Sequence, residues 1–181
     1  NLIDETVQDF GRAVLIDYRS FRARNAKQGI YYPYLLKEYR NRWFVICRNK
    51  AQRHLVTLAL DRIEGLEELL KETYYTYKEV DFNHYFDNVI GVTKSEKDNP
   101  AKVVLSVRRD TIPYLLTKPL HASQTVLKES EQEIIIQIEV VLNFELEREI
   151  LGFGPKVKVL SPRILVKKIS AVLEEAAGLV G

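Results

Sequence analysis

Apolar positions recur along this chain with two different periods, and the changes between them mark out its elements. Leu2, Ile3, Val7, Phe10 and Val14 fall at helical spacing, which predicts a connecting helix over residues 1–13. The spacing then becomes that of extended chain. Strands are predicted over 14–18, 30–39, 42–48 and 54–60, with a fifth beginning at Asp61-Arg62-Ile63. A polar loop at 22–28 ends at Gly29, and a polar turn spans 49–52. Pro33 cannot donate to a ladder, so it marks a sheet edge or a bulge. Arg40-Asn41 makes a two-residue hairpin turn, because asparagine tolerates positive φ. Short strands at close spacing with tight turns predict a small barrel over 14–72. Leu66, Leu69 and Leu70 then read as one helical turn, and the polar-aromatic stretch 74–79 lies in a linker spanning 73–101.

Beyond the linker the order becomes β-α-β-β-α-β with an added terminal helix. Val103, Leu105 and Val107 alternate as a strand, and 111–116 reads as a short helix. Two strands follow at 123–128 and 133–141, the second placing Ile134, Ile136, Ile138 and Val140 on one face. Asn143 caps a helix with the stripe Leu146, Ile150 and Leu151, stopped by Gly152-Phe153-Gly154-Pro155. After a strand at 157–160 comes the closing helix, with Ser161 as cap and Pro162 at its first position. Leu165, Ile169, Val172, Leu173 and Ala176 form its stripe, and Gly178 lies past its end. The expected fold class is α+β, a small β-barrel followed by a ferredoxin-like unit over 102–181.

At 181 residues the chain suits one ordinary domain or two small ones. No apolar run approaches the ~20 residues of a membrane-crossing helix, so no membrane partner is expected. A single cysteine, Cys47, and no opening signal pattern lead to the expectation of a reducing, cytoplasmic setting. The chain has no methionine, which leads to the expectation of a larger parent protein. Its net charge of +2 is unevenly spread: residues 1–63 hold 12 Lys plus Arg against 6 Asp plus Glu, and the remainder holds 15 against 19. Clustered cations focus a local field whatever the total charge, so the first third is suited to an anionic partner.

Three stretches, Tyr18-Arg19-Ser20, Tyr32-Pro33-Tyr34-Leu35-Leu36-Lys37-Glu38-Tyr39-Arg40-Asn41-Arg42-Trp43-Phe44-Val45-Ile46 and Leu60-Asp61-Arg62-Ile63, resemble the WYL domain family. The naming Trp-Tyr-Leu triplet is here Trp43-Phe44-Val45. Tyr32 stands where the family often has His, and Ala59 where it often has Arg. Tyr85-Phe86-Asp87-Asn88, Gly91-Val92-Thr93, Pro119 to Gln124 and Gly154 to Pro162 resemble the extension that follows WYL domains. The resemblance implies an Sm-like, SH3-like barrel. It also implies a bacterial transcription regulator whose WYL domain binds nucleic acid, including single-stranded DNA, as effector. Duplex DNA would be held by a helix-turn-helix head preceding this chain, and a homodimer is expected.

Arg19, Arg42 and Arg62 lie at matching points of that motif and are the leading candidates for an anion site. Guanidinium groups stay charged near neutral pH and present forked donors that fit phosphate. Ser20 adds a hydroxyl, and Tyr18, Tyr34 or Trp43 offers a stacking face. Lys37 completes the ligand set. Against this, Trp43 alternates with Val45 and Cys47 and reads as core, and Arg62 beside Asp61 can equally form a structural ion pair.

His54, His84 and His121 have no metal-ligand spacing, and Cys47 has no neighbouring base and reads as a buried hydrophobe. Glu145, Glu147 and Glu149 read as the solvated side of a helix. No nucleophile elbow, phosphate loop or dinucleotide fingerprint is present. The expectation is therefore a binding module with no cofactor and no metal, and not an enzyme. The alternatives are a structural oligomerisation module and a nucleic-acid hydrolase.

Overall fold

Alternation in the first third folds as five strands: β1 (Ala13–Tyr18), β2 (Lys27–Tyr39), β3 (Arg42–Asn49), β4 (Leu55–Ala59) and β5 (Ile63–Leu69). The structure is a computed structural model that describes residues 11–21, 23–95 and 97–180. The chain divides into two units, Asn1–Asp87 and Asn88–Gly181. The helix expected over 1–13 falls on residues 1–10, outside the described ones, and on the lead into β1.

In the first unit the strands are antiparallel in the order β4-β3-β2-β1-β5. Arg40 and Asn41 both take positive φ, 52° and 60°, as a two-residue hairpin requires. The register of β2 against β3 shifts between Pro33 and Leu35. A bulge thus accommodates a proline in an internal strand. Among the described residues no ladder joins β4 to β5, so the hydrogen bonds draw an open five-stranded sheet.

Leu66 and Leu69 lie in strand β5 rather than in the expected helical turn. The sheet overrides the spacing because the second edge of β1 needs a partner, and β5 supplies it from Ala13↔Leu69 to Tyr18↔Ile63. Leu66 is 64% exposed, so its spacing from Leu69 and Leu70 defines no buried stripe. Gly65 pairs with Asp17 in this ladder, and a Cβ there would come within 2.6 Å of the Asp17 carboxylate as it stands.

Ile16, Tyr31, Val45, Cys47 and Leu58 form one apolar cluster, and Leu35, Ile46 and Tyr85 form another. The second is covered by the stretch following β5. Phe82 stacks on Tyr34 at 4.9 Å between ring centroids, and Tyr74 and Tyr75 pack on Tyr32. The Tyr34 hydroxyl donates to the Tyr75 carbonyl at 2.8 Å. Trp43 departs from the core expectation. It is 39% exposed, because it sits beside the hairpin turn where the strand leaves the clusters that bury Val45 and Cys47.

The second unit contains β6 (Ala101–Arg108), α1 (Ile112–Thr117), β7 (Thr125–Glu129), β8 (Glu133–Val140), α2 (Phe144–Gly152), β9 (Val157–Ser161) and α3 (Arg163–Ala177). Its antiparallel sheet has the order β7-β8-β6-β9. Ile134, Ile136, Ile138 and Val140 face the core as their alternation predicts. Each such isoleucine contributes on the order of 2 kcal/mol through burial. Asn143 caps α2, its side-chain oxygen accepting from the Leu146 N–H at 2.8 Å. Ser161 does not cap α3. It is paired in β9 opposite Val104, and Pro162 takes the cap position without a side-chain hydrogen bond. In the α3 stripe Leu165 and Ile169 are buried, whereas Val172 and Leu173 are exposed.

Glu145 corrects the reading of a solvated acidic face. It is 6% exposed, and its Oε1 accepts from the Thr93 hydroxyl at 2.8 Å and from the Val92 N–H. The Asn143 carboxamide donates to the Ile90 and Thr93 carbonyls, drawing residues 90–93 onto the start of α2. Gly91 permits this approach with a φ of 86°, and a Cβ there would overlap the Glu145 side chain.

Candidate anion-binding surface

Strand β1 ends at Tyr18, and the Arg19 N–H donates to the Arg62 carbonyl at 3.1 Å. That bond sets two of the sequence-derived arginines side by side. Arg19, Ser20, Phe21, Asp61, Arg62 and Glu64 line one open depression of about 300 Å³. Arg62 lies over the Phe21 ring, and its Nε is buried without an acceptor among the described residues. Arg42 comes from β3 and meets this rim through Asp61, holding both carboxylate oxygens at 2.9 Å. The Arg42 hydrogen bond lowers the Asp61 carboxyl below its ordinary range. Arg19 is paired with Glu64 at 2.6 Å. Both pairs are exposed, with side-chain exposures of 53% and 42% for Arg19 and Glu64 and 40% and 58% for Arg42 and Asp61.

The other candidates divide. Ser20 lines the arginine depression and also the next one, which Tyr18 borders. The Tyr18 hydroxyl accepts from the Ala59 N–H at 3.4 Å. Tyr34 and Lys37 are not among the residues lining this surface. Tyr34 stands in the aromatic cluster, where burial and the neighbouring Tyr74 raise its hydroxyl, and the Lys37 ammonium lies 5.4 Å from the Phe86 ring centre. Tyr32, where a family histidine is often found, donates to Glu72 at 2.8 Å; burial and that carboxylate push it up to about 12.

Motif reading missed Arg24, Lys27, Lys50 and Arg53. The second depression, of about 550 Å³, is lined by Tyr18, Ser20, Arg24, Lys27 and Tyr31 among others, and a third, of about 640 Å³, includes Lys27, Tyr31, Lys50 and Arg53. The excess positive charge of the first third was their only signal in the sequence. Among the described residues no group of three His, Cys, Asp or Glu side chains is placed to hold a metal ion. No helix there is long and apolar enough to cross a membrane.

Comparison with protein families matches the WYL domain at residues 9–68 and the WCX domain at residues 99–177. The chain carries a WYL domain followed by a WCX domain. The arginine depression thus lies on a WYL domain, and the extension implied by the second set of motifs is the WCX domain. No curated protein matches the sequence. Among solved structures, the proteasome accessory factor B/C (PafBC) of Arthrobacter aurescens is similar over 93% of this chain and 25% of its own, with 16% identity and a TM-score of 0.40. A CRISPR Cas-related protein shares the fold over 93% of this chain and 47% of its own, with 13% identity and a TM-score of 0.55. The WYL–WCX chain therefore spans a quarter of the first structure and about half of the second.

Proposed function

We propose that the chain is the effector-sensing module of a DNA-binding transcriptional regulator in the bacterial cytoplasm. Its WYL domain binds an anionic effector, single-stranded nucleic acid or another phosphate-bearing molecule, at the edge formed by Arg19, Arg42 and Arg62. The WYL and WCX matches support a regulatory role. The ligand reading is carried by one observation: Arg19 and Arg62 line a common depression with Ser20, and Arg42 reaches its rim through Asp61. Exposed ion pairs contribute little in water, so a phosphate can replace Glu64 or Asp61 on a guanidinium that stays charged.

In this reading the five strands make the Sm-like barrel over 14–72, and the WCX domain is a ferredoxin-like unit that carries the homodimer contact. The effector binds one arrangement of the parent protein better than another, and the preference reaches a preceding domain that holds duplex DNA. The module binds and does not catalyse. Tyr18 and Ser20 extend the ligand surface, whereas Tyr34 and Lys37 serve the aromatic cluster.

The test is a fluorescence-anisotropy titration with labelled single strands at two salt concentrations, comparing wild type with Arg19→Ala and Arg42→Ala. Affinity should fall steeply with salt, and each substitution should flatten the logarithmic slope by about 0.7, the contribution of one phosphate on a single strand. Unchanged slopes in both variants would remove these arginines from the site. A wild-type dimer without salt-sensitive binding would favour a structural oligomerisation module, and strand cleavage with divalent metal would favour a hydrolase.

A further inference from the structure

The three depressions of the WYL domain, together its furrow, adjoin one another through shared lining residues. The first and second share Ser20 and Ala23, and the second and third share Lys27 and Tyr31. Their charge differs along its length. Asp61 and Glu64 line the arginine end, whereas among the described residues no Asp or Glu lines either of the other two depressions. Four cations occupy that carboxylate-free stretch: Arg24, Lys27, Lys50 and Arg53. Lys50 is held by Glu72 at 2.7 Å. Arg24, Lys27 and Arg53 have no carboxylate partner among the described residues. Such cations bind an anion without first releasing a competitor.

The turn that carries Lys50 and Arg53 is held by hydrogen bonds. Asn49 accepts from the Ala51 and Gln52 N–H groups through its side chain at 2.9 Å, and its carbonyl accepts from the Arg53 N–H at 2.8 Å. Arg53 takes a φ of 59° within that turn. The Lys50 N–H donates to the Ile30 carbonyl at 2.9 Å, tying the turn to β2. Length then bears on the ligand. Lys27 and Tyr31 are four residues apart in β2, or ~13 Å at strand rise. That span alone exceeds one phosphate group, and the furrow continues beyond both residues.

Resting on the reading that this domain takes an anionic effector, we propose that Arg24, Lys27 and Arg53 form the main phosphate track and that the ligand is an oligonucleotide several phosphates long. Between the cations the lining is neutral and amide-rich, with Asn25, Gln28 and Gln52. Carboxamides both donate and accept, as base edges do, whereas the carboxylates of an acidic peptide only accept. The composition therefore favours a nucleic acid over an acidic peptide.

The experiment uses the full 181-residue chain and labelled oligothymidylate of about eight nucleotides, within the ~4–16 nucleotides that small β-domains engage. The combined variant Arg24→Ala, Lys27→Ala, Arg53→Asn keeps a residue that tolerates the positive φ. It should flatten the salt slope by about 2, three phosphates at ~0.7 each. Gln52→Glu places a carboxylate in the furrow without removing a cation and should weaken binding several-fold, which keeps the test decisive if the triple variant fails to fold. The octamer should bind at least tenfold more tightly than thymidine dinucleotide, and polyglutamate should compete poorly. A wild-type slope in the triple variant, equal affinity for the dinucleotide or equal competition by polyglutamate would overturn the proposal. An unaltered affinity in Gln52→Glu would do the same. If Arg19→Ala and Arg42→Ala abolish binding while the furrow variants do not, this inference alone fails. If wild type binds no oligonucleotide, the function reading fails with it.

Discussion

A single terminal nitrogen of Arg42 meets both carboxylate oxygens of Asp61 at 2.9 Å, joining strand β3 to the turn before β5. In the proposed anion site, Asp61 thereby competes with a phosphate for the Arg42 guanidinium. Asp61→Asn removes the competing charge while keeping a similar shape, and should raise oligonucleotide affinity several-fold in the anisotropy titration. The pair also has a defined pH range. Asp61 titrates below its ordinary value in the fold, so the pair's contribution is present above the unfolded carboxyl value of about 3.9 and is lost as pH falls through the lower folded value. Around neutral pH the competition with phosphate is therefore constant.

Asn143→Ala should destabilise the second unit. The substitution removes the cap on Leu146 and leaves the Ile90 and Thr93 carbonyls without their donor. A buried carbonyl left unsatisfied costs about 1–3 kcal/mol. In thermal denaturation a loss of ~1 kcal/mol lowers the midpoint of a unit this size by roughly 4–8 °C. Thr93→Val, which removes one donor to Glu145, should cost less.

His84 provides a separate pH-dependent contact on the WYL side of the chain. Its Nδ1 lies 2.7 Å from Asp87, which with Asp81 raises its pKa. The stabilisation is fully present below the unfolded value of about 6.5 and is lost as pH rises through the higher folded value. Asp87→Asn should move the titration of His84, followed by NMR, back towards the ordinary histidine value.

Cys47 should resist thiol reagents in the native protein. It is fully buried, and desolvation pushes its thiol well above the ordinary cysteine range. Labelling with a maleimide should follow unfolding, so the labelling rate should rise with denaturant across the unfolding transition. Rapid modification of the native chain would show that the β2–β3 region opens far more readily than its packing implies.

What could be read before folding was local. The Arg40-Asn41 hairpin, the irregularity at Pro33, the isoleucine face of β8 and the Asn143 cap each follow from the preferences of one or two residues. Errors arose where a distant partner decides. Leu66 and Leu69 are extended because β1 needs a second neighbour, Ser161 is paired in a ladder, and Glu145 is buried by residues 90–93. The same limit applies to the ligand surface. Motif position brought Arg19 and Arg62 together, but the juxtaposition of Lys27 with Arg53 depends on β2 lying beside the turn after β3.

Strand β1 is hydrogen-bonded along both sides, to β2 and to β5, and leads from Ala13, past a register shift against β5 between Asp17 and Tyr18, into Arg19 and Ser20 at the rim of the first depression. A strand gripped in this way cannot stretch, and a slip of one residue would turn every side chain to the wrong face. Its six residues span about 20 Å at strand rise. In the proposed reading, a displacement at Ser20 would be carried along β1 towards Ala13 together with its two neighbouring strands.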